Sequence, residues 1–239
     1  EGFPRPVRDA LRRVLCDPAV YRYTGLKPFR YRQLGLREAY FEEPFPARTI
    51  AVHLYVDYPT YAAIPKPEDY RTFFILRDPR DIVVSWYYSA KYSHKPVDPI
   101  PALRAALDQL DLEDSLKYLI DAWDAFGLFD AQRSWVQSVE RDPRARIFRY
   151  EEFAADNRQF LAQLFEYLEI EMPPAEFDTL YGRHEFSQVA KGREQGEEDR
   201  KSHFRKGVSG DWKNYFSAPV SAHFREVTGD LLEILGYDE

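Results

Sequence analysis

Residues 72–77, TFFILR, are a nearly continuous apolar run that breaks at once into Asp78-Pro79. A short run of this kind suits a strand buried on both faces. Asp is a favoured N-cap and Pro suits the first helical position, so a helix is predicted from there to about Ala90. A doubly buried strand that feeds directly into a helix calls for a parallel sheet with crossover helices. The rest of the chain follows that rule. Residues 48–54, RTIAVHL, read as a strand ending near His53, and 145–150, ARIFRY, as another. Helical patterns cover 7–15, with Val7, Leu11, Val14 and Leu15 on one face, and 112–140, broken at Gly127. A further helix over 157–169 carries Phe160, Leu161, Leu164, Phe165 and Leu168. The last begins near Ser217-Ala218-Pro219, buries Val220, Phe224, Val227, Leu231 and Leu235, and stops at Gly236. Residues 94–102, with three prolines, and 190–211, polar and glycine-containing, read as loops. The expected fold is α/β, a central parallel sheet flanked by helices. Ligands bind such sheets at the carboxyl ends of the strands, where His53, Arg77 and Tyr150 fall.

Composition narrows the function classes. A net charge of −7 over 239 residues argues against a general nucleic-acid binder. Aromatics at 16% argue against a disordered chain. Cys16 is alone and cannot form an internal disulfide, which favours a reducing, cytoplasmic location. No apolar run approaches the ~20 residues that span a bilayer. His53, His94, His184, His203 and His223 have no zinc-like spacing, so no metal is expected. One domain over 1–239 is the simplest organisation, and nothing in the sequence speaks to oligomeric state.

Two segments carry anion-binding chemistry. In RDPRDIVVSWYYS, beginning at Arg77, a strand ends in a guanidinium beside the start of a capped helix, with Ser85 on its second turn. The forked donors of arginine match two phosphate oxygens, and the helix start adds positive potential. A structural ion pair of Arg77 with Asp78 or Asp81 would give the same spacing. In RKGVSGDWKNYFS, beginning at Arg205, two cations precede two glycines. Glycine lets the backbone approach an anion closely. A solvated basic loop tethered by Trp212 and Phe216 is the alternative.

Together the two segments resemble the sulfotransferases that use 3′-phosphoadenosine-5′-phosphosulfate (PAPS). RDPRDIVVSWYYS is similar to the family's 3′-phosphate-binding strand and helix, and RKGVSGDWKNYFS to its RKGxxGDWKNxFT signature. AVHLYVDYP at 51–59 is similar to the strand that ends in the catalytic histidine, and RYEEF at 149–153 to a later strand. The stretch FSQVAKGREQGEEDRKSHFRKG resembles the loop that folds over the nucleotide in bacterial members. The likeness covers about 48–239. It implies a P-loop-like three-layer fold and transfer of a sulfuryl group from PAPS to a hydroxyl or amine of a small-molecule acceptor, releasing adenosine 3′,5′-bisphosphate (PAP). It implies His53 as catalytic base. It implies Arg77, Ser85, Arg205, Lys206 and Gly207 at the 3′-phosphate, and Tyr150 and Phe186 near the adenine. The aromatic residues at 87–92 and 115–135 suggest an apolar or ring-containing acceptor.

Two departures stand out. Ala51 occupies the position of a family lysine two residues before the histidine. The phosphosulfate loop, YPKSGTTWL in the family, faces Phe3-Pro4-Arg5-Pro6-Val7-Arg8-Asp9-Ala10-Leu11, which has no Gly, Ser or Thr. Either a stretch is absent between Arg5 and Val7, or the loop is lost and the protein is a nucleotide-binding relative without full activity. Arg5 is the candidate cation for the 5′ end. A P-loop kinase would need GxxxxGK[ST], which does not occur here.

Overall fold

A computed structural model describes residues 27–29, 41, 43–46, 49–51, 54–97 and 99–238. Two parallel ladders form its strands. β1 (Lys27–Phe29) pairs with β2 (Thr49–Ala51), and β3 (Thr72–Leu76) with β4 (Ala145–Arg149). In β3 side chains alternate between faces, as strand geometry demands. Phe74 and Leu76 join the larger apolar core, while Ile75 and Phe73 join the smaller one. β4 divides likewise, Ala145 and Ile147 to one side and Phe148 to the other. The expected continuous apolar strand, covered on both faces by helices, is therefore observed.

The larger core receives α1 (Tyr58–Ala63), α2 (Pro79–Tyr88), α4 (Leu112–Ala125), α5 (Leu128–Val139), α10 (Ala218–Thr228) and α11 (Leu231–Leu235). α3 (Ile100–Leu107) lies between α2 and α4 in the chain. The smaller core is closed by α7 (Asn157–Tyr167) and α8 (Pro174–His184), with α6 (Tyr150–Ala155) leading into α7 and α9 (Phe186–Val189) following α8. Fully burying one leucine or phenylalanine stabilises by ~1.5–3 kcal/mol. Leu76, Leu116, Leu164 and Phe224, buried at the sheet or on the helices packed round it, hold the layers together.

The helix boundaries have local causes. Asp78 caps α2 by accepting the Arg80 N–H at 2.9 Å, and Pro79 opens it, as expected. α2 ends at Tyr88, two residues early, because Ser89–Ser93 widen into a π-turn closed by His94 N–H to Ser89 O at 2.7 Å. Arg104 donates to the Ala90 and His94 carbonyls there, both at 2.9 Å. Gly127 breaks α4 from α5 in the left-handed region, φ 77°. The last predicted helix is two, parted at Gly229, with Arg133 donating to Thr228 O and Asp230 across the break. The predicted loop 94–102 gives way to α3 at Ile100, since Pro101 fits a first turn. The predicted helix over 7–15 lies outside the described residues. Among the described residues no helix is long and apolar enough to cross a membrane.

Candidate functional site

The register of β3 with β4 builds the floor of the site. Leu76 pairs with Arg149, so the next residues, Arg77 and Tyr150, emerge side by side at the carboxyl ends. The Arg77 guanidinium lies 4.1 Å from the centre of the Tyr150 ring. Arg77 is only 4% exposed, and Gln132 Nε2 donates to its carbonyl at 2.8 Å. Burial raises the Tyr150 pKa, so the phenol stays neutral beside this charge. Asp78, one of the two expected partners, instead turns back to Arg80, at 2.8 Å. The other, Asp81, lies 3.8 Å from the guanidinium, too far for a hydrogen bond. Arg77 Nε is buried with no hydrogen-bond partner. A buried unpaired donor costs about 1–3 kcal/mol. An anion set against this edge of the guanidinium would remove that cost.

Asp81 joins the two motifs. Its carboxylate accepts the Gly210 N–H at 2.6 Å and the Trp212 N–H at 2.9 Å. Those amides open the 3₁₀ turn Asp211–Asn214, so the signature segment is pinned to the first turn of α2. Residues three and four apart share a helix face, which sets Ser85 between Asp81 and Tyr88. Tyr88 in turn meets the same segment: Arg205 stands 4.5 Å over its ring and Tyr215 packs edge-on at 5.6 Å. Ser85 is partly exposed in the interval.

The cations of the signature do not reach freely into solvent. Arg205 pairs with Asp211 and with Glu198, both at 2.5 Å, and Lys206 pairs with Asp211 at 2.7 Å. Burial opposes charge on Asp211, but hydrogen bonds from Lys206, Arg205 and Asn214 outweigh it and lower its pKa. Burial likewise works against the Arg205 charge, and the bond to Asp211 overcomes it. The loop has its own scaffold. Asp199 N–H bonds Arg205 O at 2.9 Å and Gly196 N–H bonds Lys206 O at 2.8 Å. Arg193 fills the loop, donating to the carbonyls of Glu197, Phe204 and Arg205 and to Ser202 Oγ. Gly207 has φ 73°, and a Cβ there would stand 2.5 Å from the Phe186 ring. Phe186 thus lies against the backbone of the signature.

The structure therefore brings together Arg77 and Tyr150 at the strand ends, and Arg205, Lys206 and Gly207 in the loop with Phe186 of α9 against it, with Ser85 on the helix that Asp81 and Tyr88 bind to that loop. His53 and Arg5 lie outside the described residues. Asp81 was considered only as a partner of Arg77, and its bridging role depends on a fold-back from residue 210. Asp211, Glu198 and Gln132 carried no signal from spacing. They reach the site through tertiary contacts.

Residues 46–236 match the sulfotransferase domain model. Sulfotransferase 6B1 of Danio rerio is 26% identical over 196 residues, covering 76% of this chain and 58% of that protein. Sulfotransferase 2B1 of Rattus norvegicus is 25% identical over 197 residues, covering 78% and 54%. The chain thus spans a little over half the length of these relatives. A mouse sulfotransferase solved in complex with PAP superposes with a TM-score of 0.52 at 24% identity, over 77% of this chain and 65% of that one, a likeness of fold. The domain match over most of the chain places the described site within one family, and the chain belongs to the sulfotransferases.

Proposed function

We propose that the protein binds the 3′-phosphate of PAPS between Arg77 and the Arg205–Lys206 loop and transfers its sulfuryl group to a small-molecule acceptor. The observation that carries this reading is the buried Arg77 guanidinium with an unpartnered Nε, held at a strand end beside a helix start. The residues present fit the 3′ half of the nucleotide. Arg77 offers a forked donor, Ser85 a hydroxyl, and Gly207 a backbone free of any Cβ. Phe186, against Gly207, is an apolar surface for the adenine. Tyr150 is placed to support Arg77 through its ring. The 5′ end would rest on the segment around Arg5. Residues 1–239 act as one domain in this account.

The reaction is a single displacement at sulfur. The acceptor oxygen or nitrogen forms a bond to sulfur, and the sulfur–oxygen bond to the 5′-phosphate breaks. The acceptor proton passes to His53, and adenosine 3′,5′-bisphosphate leaves. Neutral imidazole suits that base near pH 7, and a positioned base is worth ~10²–10⁴-fold. No metal is required. Trp86 packs 5.4 Å from Trp123 and 5.5 Å from His94, and Phe126 is exposed beside Trp123. This aromatic group supports an apolar or ring-containing acceptor.

The test is sulfate transfer from radiolabelled PAPS to a panel of phenols, alcohols and amines, with His53→Ala beside the parent. Transfer by the parent, lost by at least a hundredfold in the variant at unchanged PAP affinity, is expected. The sequence departure at residues 3–11 favours a second reading, a nucleotide-binding protein without transfer. PAP binding with no transfer to any acceptor would select it.

A further inference from the structure

The charges around Arg205 add up in an informative way. Arg200, Arg205 and Lys206 contribute three positive charges, and Asp211 and Glu198 two negative ones, linked by ion pairs. Two of the three positive charges are thus already offset by carboxylates, which weakens the pull on an incoming phosphate. The two carboxylates are not alike. The Asp211 side chain is 2% exposed and accepts from Arg205, Lys206 and Asn214. It is fixed within the segment that Asp81 pins. The Glu198 side chain is 24% exposed and lies in the loop that carries Arg205. Its second oxygen meets Arg200 at 3.2 Å, and Arg200 is itself largely exposed. Burial works against the Glu198 charge, but hydrogen bonds from Arg205 and Arg200 outweigh it and lower its pKa, so it is an anion at neutral pH.

We propose that Glu198 is an affinity-setting residue, an internal counter-anion that occupies Arg205 in the nucleotide-free protein and yields it to the 3′-phosphate. This rests on the nucleotide reading above. Arg205 has five N–H donors, and the contact with Glu198 uses the Nη1 end. Phosphate arriving at that end meets a like charge a few ångströms away, which must turn toward Arg200 and solvent. The exchange lowers net affinity, and so speeds release of a bisphosphate product. Arg205 stays ordered throughout, because Asp211 and Tyr88 continue to hold it.

Glu198→Gln keeps the shape and removes the charge. Calorimetry should give a dissociation constant for adenosine 3′,5′-bisphosphate about tenfold lower than in the parent, with dissociation slowed in proportion by stopped flow. Adenosine 5′-monophosphate should bind unchanged. A purely structural Glu198 predicts the opposite sign, since a loosened loop weakens binding. Glu198→Asp draws the carboxylate back from Arg205 and should fall between the two. The Arg205→Ala background separates the claims. There Glu198→Gln should have no effect, and a loss of affinity in both backgrounds would overturn the proposal. Equal or weaker binding by Glu198→Gln in the parent, with Arg205→Ala still costly, overturns it while sparing the nucleotide reading. If Arg205→Ala itself leaves affinity untouched, the nucleotide reading fails.

Discussion

At the scale of single residues, the site depends on groups whose alternatives are poor. Gly207 is one. Its φ of 73° favours glycine, and the Phe186 ring stands where a Cβ would go. Gly207→Ala should lower thermal stability by a few degrees and weaken nucleotide binding at least fivefold, read by scanning fluorimetry and calorimetry. Wild-type values for both would show that the ring and loop adjust freely. Arg77 is another. Its place at a strand end was legible, and so was the rival ion pair, with Asp78 or Asp81. The structure has Arg77 at the strand end with Asp81 3.8 Å away, a separation that leaves the guanidinium with donors to spare. Tyr150 was expected near adenine. It lies buried under Arg77, since the parallel register delivers it there.

At the scale of elements, local capping chemistry explains which boundaries could be read. β3 and the start of α2 were legible because an apolar run, Asp78 and Pro79 act in sequence neighbours. The same signal, Asp57 before Tyr58-Pro59, opens α1 and went unread because six residues are too few for periodicity. The π-turn after Tyr88 and the break at Gly229 were not legible, since Arg104 and Arg133 stabilise them from distant positions. The loop 190–211 was expected to be polar surface. Its hairpin-like bonds and the Arg193 hub come from pairings no periodicity encodes. Asp81 is the tie between α2 and that segment. Removing one partner of a buried charge network costs about 3–5 kcal/mol. Asp81→Ala should therefore lower unfolding stability in urea by that amount. Asp178→Ala, which breaks an exposed pair with Arg158, should cost under about 1 kcal/mol. Equal losses would mean that Asp81 is not the tie.

At the scale of the whole molecule, the sheet separates two cores and gathers functional groups at one edge. α2 begins at that edge, and the signature segment folds back onto it from more than a hundred residues away. In the proposed reading, the anion-binding groups described all serve the 3′ half of a nucleotide. The central claim is thus a preference for a 3′-phosphate, measured by titrating the protein with adenosine 3′,5′-bisphosphate and adenosine 5′-monophosphate in the calorimeter. Charge-assisted contacts contribute ~1.5–3 kcal/mol each, so the bisphosphate should bind at least tenfold more tightly. Equal affinities for the two nucleotides would contradict the account.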